Sequence, residues 1–398
     1  LTDVLEILRR VREGRERAVV EYNLIFDQVN MTTHDLVYDP FTVEAGLPSP
    51  AIREALDVAI ARIRRFHRAT RPAETTQFDA DNGLGLSERW LALGRVGVYA
   101  PNGGYPLVSS LLMTAIPAQE AGVEDIVVAI SPRGNSRTHP VWNYALKQLG
   151  CHQVLAAGGA QAMAALAYGI DGLKPVDLIA GPGNRYVTAA KQALSAEGVV
   201  GIDLLAGPSE VLIIADGSAR PEFVAYDLLS QAEHAEDASA ILLSWDQALL
   251  TAVETLTQNA RAADPNRALG RIHFELVADP DSAVDRLNQI APEHAGLVGI
   301  AAEALAPKVR TAGALFIGAM AGQALGDYVA GPSHVLPTGG SGRFLSGLST
   351  RTFMRRMSVI EARGQLRSDL LDHGATLAEL EGLRFHQQSL LIRKSPLG

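Results

Sequence analysis

Two short strings carry side chains whose types and spacing could do chemistry. In Ser230-Gln231-Ala232-Glu233-His234, Gln231 and His234 stand three apart on a predicted helix and so share one face. A side-chain carbonyl and an imidazole on one face can supply two ligands to a metal ion. The structural alternative is that His234 lies near the helix C-terminus, where a cation suits the macrodipole. In Ala291-Pro292-Glu293-His294, an acid and an imidazole are adjacent. Histidine titrates near neutral pH and a carboxylate can activate water, so the pair can do acid–base work. Read as a helix end, its two side chains diverge by about 100° and border one cleft from two sides. A solvent-facing polar pair is the alternative there.

A metal needs further ligands. Candidates are Asp327 in Gly326-Asp327-Tyr328, His334 in Gly331-Pro332-Ser333-His334, and His386 near the C-terminus. A nitrogen and oxygen set without sulfur suits Zn²⁺ or another divalent first-row ion. Spacing alone does not bring these residues together. Several strands are expected to end in Gly/Pro-rich turns, at the strand C-terminal ends where open α/β sheets bind ligands: Pro101-Asn102-Gly103-Gly104, Gly158-Gly159-Ala160-Gln161, Gly181-Pro182-Gly183-Asn184 and Gly207-Pro208-Ser209-Glu210. Such turns admit a ligand close to the backbone and leave helix N-terminal N–H groups free for phosphate. Each one alone is also an ordinary βα turn. The chain has no G-x-G-x-x-G, no Gly-Lys pair of a P-loop and no H-E-x-x-H.

The elements that must position these groups alternate. Residues 1 to about 72 read as two helices, the second over 51–68 and packed on the first. Residues 72–90 read as a loop or hairpin. Predicted strands at 96–100, 125–130, 153–157 and 176–180 enclose helices at 109–121, 140–149 and 160–168. A second set has strands at 210–215, 240–244, 272–276 and 314–317, with helices at 221–235, 247–262, 282–290 and 302–309. This alternation indicates parallel sheet with helices on its faces, and two sets of similar size suggest a duplicated unit. After a Gly/Ser segment at 339–347, helical stretches are predicted around 353–362 and 376–381, in a tail that docks on another body.

Composition excludes several classes. The 398 residues are 47% hydrophobic and 20% charged, which argues against a disordered or fibrous chain. Thirty-five basic against 44 acidic side chains give a net charge of -9, with no basic block to meet nucleic acid. The single cysteine, Cys151, permits no internal disulfide, no Cys-rich zinc module and no iron–sulfur cluster held by this chain alone. It fits a reducing compartment, and a cytoplasmic location is expected. The longest uncharged run, 96–119, is interrupted by Pro101, Pro106 and Pro117, so no membrane span is expected. The chain starts at Leu1 and not at Met, and any targeting signal is expected outside it.

Taken in order, the strings resemble the histidinol dehydrogenase family, zinc- and NAD-dependent enzymes that end histidine biosynthesis. The resemblance rests on Arg95–Tyr99, Gly158–Ala162, Gly181–Asn184, Ala206–Leu212, Ser230–His234, Ala291–His294, Gly326–Tyr328 and Gly331–Thr338. It runs from Val11-Arg12-Glu13-Gly14 to His386. It implies an α/β fold of two related incomplete Rossmann-like domains, with an N-terminal helical segment and a C-terminal helical tail. Residues 1–98 with 209–347 would form the substrate and zinc domain. Residues 99–208 would be an inserted NAD-binding domain, and 348–398 a tail docked on the partner of a homodimer. Zinc would be held by Gln231, His234, Asp327 and His386, the last from the partner. Glu293 and His294 would be the acid–base pair. Ser209, His334 and Glu381 would touch the amino-alcohol substrate together with the zinc ligands and His294. Tyr99, Gln161 and Asn184 would touch NAD.

The family reaction carries L-histidinol to L-histidine through a bound aldehyde, using two NAD. Three residues depart from the family pattern: Ala295 where Pro-Glu-His-Leu is usual, Asn102 in the first turn, and Phe385 before the last ligand. Relatives that oxidise other polar alcohols, such as sulfonated diols, are the alternative enzyme reading. A non-catalytic zinc-binding relative is the alternative from another class, and the intact Glu293 and His294 argue against it.

Overall fold

A computed structural model describes residues 2–79, 83–103, 105–205, 207–362 and 366–394. Gly104 and Ala206, quoted above in two of the turns and strings, lie outside the described residues. In chain order, helices α1 (Thr2–Tyr22) and α2 (Pro50–Thr70), separated by the short strand β1 (Val37–Tyr38), precede a hairpin of β2 (Thr75–Asp79) and β3 (Leu84–Ala92). The first alternating set is β4 (Arg95–Ala100), α3 (Val108–Ala121), β5 (Asp125–Ile130), α4 (Pro140–Gln148), β6 (Gln153–Ala156), α5 (Gly159–Tyr168), β7 (Leu178–Ala180), α6 (Arg185–Ala196) and β8 (Gly201–Ile202). The second is β9 (Glu210–Ala215), α7 (Pro221–Ala232), β10 (Ser239–Ser244), α8 (Gln247–Ala263), β11 (Arg271–Leu276), α9 (Pro280–Ile290), β12 (His294–Val298), α10 (Ile300–Glu303), β13 (Ala314–Ile317) and α11 (Gln323–Tyr328). The chain ends in β14 (Met354–Ala362), α12 (Ser368–Leu380) and α13 (Arg384–Leu391).

These elements form two compact units: Leu1–Arg71 with Leu93–Phe353, and Pro72–Ala92 with Met354–Gly398. The larger unit holds both parallel sheets. Their strand orders are β1-β6-β5-β4-β7-β8 and β11-β10-β9-β12-β13. Numbered within its own set, each sheet runs third, second, first, fourth, fifth. The topology is therefore repeated, as the alternation predicted. Every pairing in both sheets is parallel except β1 against β6. Strands such as Asp125–Ile130 and Glu210–Ala215 are buried from their second residue onward. Near-continuous apolar runs are what a parallel sheet covered on both faces requires.

α1 contributes Val4, Leu8, Val11 and Val19 to a core shared with Met163 of α5 and Val187 of α6. α2 instead packs on α3. The predicted α1–α2 pair thus divides between different helices of the first sheet.

Three further expectations are corrected. Residues 294–298 form the buried strand β12, paired with β9 and β13, where a helix end before His294 was read. Its sequence His-Ala-Gly-Leu-Val carries little of the β-branched pattern that marks a strand, so only the tertiary pairing reveals it. Residues 185–196 form α6, absent from the sequence reading. Residues 354–362 form a strand and not a helix, pairing antiparallel with β3 over nine residues. In the smaller unit, β14, β3 and β2 make one antiparallel sheet, followed by packed helices α12 and α13. Among the described residues no helix is long and apolar enough to cross a membrane.

Candidate active site

One cleft of about 760 Å³ in the larger unit gathers most of the predicted residues. Its walls include Asn184, Ser209, His234, Glu293, His294, Asp327 and His334. The first sheet meets the cleft with the turns after β4 and β7, at strand carboxyl ends. The second sheet meets it with residues just before or at the start of β9 and β12, at strand amino ends.

The acid–base pair is held by one neighbour. Glu210 begins β9, alongside β12. Its backbone N–H donates to Glu293 Oε2 at 3.0 Å, and its carbonyl accepts from His294 Nδ1 at 3.2 Å. Both side chains are almost fully buried, at 7% and 5% exposure. Burial pushes the Glu293 carboxyl up to about 8, against the pull of the Glu210 N–H and reinforced by the charges of Asp327 and Glu210. Burial lowers the His294 imidazole, while the nearby Asp327 charge works the other way. Each shift favours a neutral group, and a neutral imidazole is a base.

Three imidazoles share one arrangement. Nδ1 of His294 faces the Glu210 carbonyl, Nδ1 of His334 the Asp327 carbonyl at 3.0 Å, and Nδ1 of His234 the Ser230 carbonyl at 2.9 Å. A carbonyl only accepts, so each ring carries its proton on Nδ1 and keeps a lone pair on Nε2. Nε2 is the atom that a metal or a substrate proton can use. Burial also lowers His334.

Gln231, on α7 one turn before His234, is fully buried, and neither Oε1 nor Nε2 has a partner. A buried amide left unsatisfied costs about 1–3 kcal/mol, so an amide oxygen in this state is an available cation ligand. Asp327 comes from α11, which packs on α7. Among the described residues, no three His, Cys, Asp or Glu side chains are grouped to hold a metal ion. His234 and Asp327 line the cleft and Gln231 does not; an amide oxygen, an imidazole and a carboxylate are a donor chemistry that fits an incompletely caged divalent ion. His386, on α13, and Glu381, which follows α12, are exposed residues of the smaller unit.

On the cofactor side, the Asn184 carboxamide caps α6 by accepting from the N–H groups of Tyr186 and Val187. Tyr99 and Gln161 are brought together around Gly159 but are buried and not on the cleft wall. The Tyr99 hydroxyl accepts from Gly159 N–H at 3.3 Å, and Gln161 Oε1 has no partner.

A buried ion pair that the sequence reading missed shapes the turn at Gly181. Lys191 Nζ lies 2.5 Å from Asp203 Oδ1 and donates to the Gly181 carbonyl, while Asp203 Oδ2 accepts from Gly181 N–H. Gly181 has φ 120°, and a Cβ there would sit 2.2 Å from the Tyr99 carbonyl oxygen. No local motif joins Lys191 to Asp203. α6 itself was legible, since Asn184 followed by Val187, Ala190 and Leu194 is a capped helical pattern.

Two of the departures fall outside the chemistry. Ala295 lies in the core under the second sheet, beside Leu212 and Leu297. Asn102 ties its turn by donating to the carbonyls of Ser131 and Arg133. Phe385 is exposed on α13.

Two Rossmann-like sheets bring Gly/Pro-rich turns and a buried carboxyl–imidazole pair to one cleft, the arrangement of an α/β enzyme. Residues 1–394 match the family model described as histidinol dehydrogenase, and the chain belongs to that family. It is therefore a dehydrogenase. It is 42% identical over 400 residues to a histidinol dehydrogenase of Caulobacter vibrioides, with 98% of this chain and 91% of that protein covered. The protein of that name from Rhodospirillum rubrum is 40% identical over 402 residues, with the same coverage. The crystal structure of histidinol dehydrogenase from Elizabethkingia anophelis superposes with a TM-score of 0.92 at 31% identity, covering 98% of this chain and 91% of that one.

Proposed function

We propose that this chain oxidises L-histidinol to L-histidine in two NAD-linked steps, with zinc, as a cytoplasmic homodimer. The observation that carries the reading is the Glu210 backbone, whose N–H orients Glu293 and whose carbonyl orients His294 in one cleft. Gln231, His234 and Asp327 would hold the zinc, joined by His386 of the second subunit, and Asn184, Tyr99 and Gln161 would meet the dinucleotide. When bound, zinc anchors the substrate's nitrogen donors and NAD accepts hydride from the carbinol carbon.

The chain's own residues do the proton work. His294 Nε2 takes the hydroxyl proton as the carbon–hydrogen bond breaks, leaving a carbonyl. Its Nδ1–H stays on the Glu210 carbonyl and stabilises the imidazolium that forms. Glu293, raised by burial to about 8, is a stronger base than an ordinary carboxylate in its ionised fraction, which grows as pH rises toward 8. It takes a proton from water as the oxygen adds to the aldehyde, while the His294 imidazolium returns its proton to the carbonyl oxygen, giving a hydrate and a neutral His294. His294 removes a hydroxyl proton from that hydrate as the second hydride leaves, which yields the carboxylic acid, and its ionisation gives the carboxylate. Ser209, His334 and Glu381 would orient the substrate's polar groups.

The test is NADH formation from L-histidinol, with and without a chelator, and from a sulfonated diol. The expected result is two NADH per histidinol, lost with chelator and restored by zinc. Turnover of the diol alone would overturn the substrate, and zinc binding without NADH from either alcohol would overturn catalysis.

A further inference from the structure

We propose that Gln323 is a positioning residue for the metal, supplying the acceptor that orients the Gln231 amide. The proposal rests on the zinc reading above. If Gln231 Oε1 binds a cation, its Nε2 remains a buried donor in need of an acceptor. α11 packs on α7 and carries Gln323, which is 3% exposed.

The orientation of the Gln323 amide follows from its neighbours. Ser230 Oγ gives its one proton to the Asp227 carbonyl at 2.9 Å. It can therefore only accept from Gln323, whose Nε2 lies 3.0 Å away. That leaves Gln323 Oε1 as the free end, and it is buried without a partner. Contacting helices thus hold an orphan donor on Gln231 and an orphan acceptor on Gln323, unpaired with each other in this structure; a cation on Gln231 Oε1 would fix the amide so that the two pair. The residue Gln323 already touches, Ser230, is the one preceding Gln231. The Ser230 backbone carbonyl accepts from His234 Nδ1, so Ser230 links Gln323 both to Gln231, its neighbour in sequence, and to His234, just past the end of α7. Asp327 lies one turn after Gln323 on α11. An outer partner of this kind fixes a ligand's orientation, and its loss typically weakens metal binding by about 10–100-fold.

The test is zinc affinity by chelator competition, with the visible spectrum of the Co²⁺ form, for the full-length protein and Gln323→Met, Gln231→Ala and the double variant. Gln323→Met is expected to weaken zinc by about 10–100-fold and to alter the Co²⁺ bands. In the Gln231→Ala background the same substitution is expected to add nothing. Wild-type zinc affinity in Gln323→Met, or an undiminished effect when Gln231 is absent, overturns the proposal. Wild-type affinity in Gln231→Ala would instead overturn the metal reading beneath it. Melting of the metal-free proteins checks folding, and Gln323→Ala, which fills less space, repeats the measurement if the Met variant does not fold.

Discussion

At the carboxyl end of the first sheet, Gly181 follows the fourth strand of its set with φ 120°, and its turn opens onto the cleft through Pro182, Gly183 and Asn184. At the matching place in the second sheet, Gly299 follows the fourth strand with φ 111°. There Asp216, just after the first strand, accepts from the N–H groups of Ala301 and Ala302 at 2.7 and 2.9 Å and from Ser218. Although burial opposes it, these hydrogen bonds hold the Asp216 carboxyl below its usual range. The protein's own carboxylate thus takes the helix-terminal N–H groups that a phosphate uses in such folds. One topology serves two ends: the first sheet offers its carboxyl end to the cleft, and the second offers its amino end and seals the other. A duplicated fold therefore does not dictate a duplicated site.

The largest effects are expected at the second sheet's amino end. His294→Asn should lower kcat for alcohol oxidation by about 10²–10⁴-fold while zinc affinity changes little. Glu293→Gln should slow aldehyde oxidation more than alcohol oxidation. Parallel loss of zinc in the first variant, or unchanged aldehyde turnover in the second, would break the assignment.

Next is the buried ion pair behind the Gly181 turn. Lys191→Met leaves Asp203 unpaired and should cost about 3–5 kcal/mol of stability, read by denaturant unfolding. Replacing both residues by apolar ones should recover most of it while KM for NAD stays high, since Gly181 has lost both anchors. Recovery of both stability and KM would remove the turn from the argument.

His67, on α2, makes stability depend on pH. It is 1% exposed, neither ring nitrogen has a partner, and burial lowers its pKa to about 4. The unfolded chain binds a proton near pH 6.5 that the folded chain refuses, so stability is full above that pH and falls as pH drops toward 4. The shift corresponds to about 3 kcal/mol, which His67→Phe should remove from the acid limb if the larger ring is accommodated. An unchanged acid limb in a folded variant would assign the effect elsewhere.

The smallest kinetic effect is expected from Gly299→Ala. A Cβ there would lie 2.6 Å from the Asp216 carboxyl group, so stability should fall while KM for NAD holds. Gly181→Ala, against a backbone carbonyl, should raise that KM sharply. Equal effects would erase the contrast between the two turns.

Much of this was legible in sequence. The strands at 125–130, 210–215 and 314–317 have the bounds the apolar runs indicated. Glu293 and His294 were singled out because adjacent acid and imidazole are chemically conspicuous. Their geometry was misread, since Ala295 and Gly296 gave no strand signal and β12 exists through its neighbours. β14 likewise takes its conformation from pairing with β3. Gln323, the backbone role of Glu210 and the Lys191–Asp203 pair were missed for one reason: each acts on a residue distant in sequence or through its backbone, and neither leaves a motif.

The most direct measurement is amide hydrogen exchange with and without NAD. Slower exchange is expected at residues 182–188, after β7, with no change at residues 299–303. Protection at 299–303 instead, with the first turn unaffected, would contradict the account.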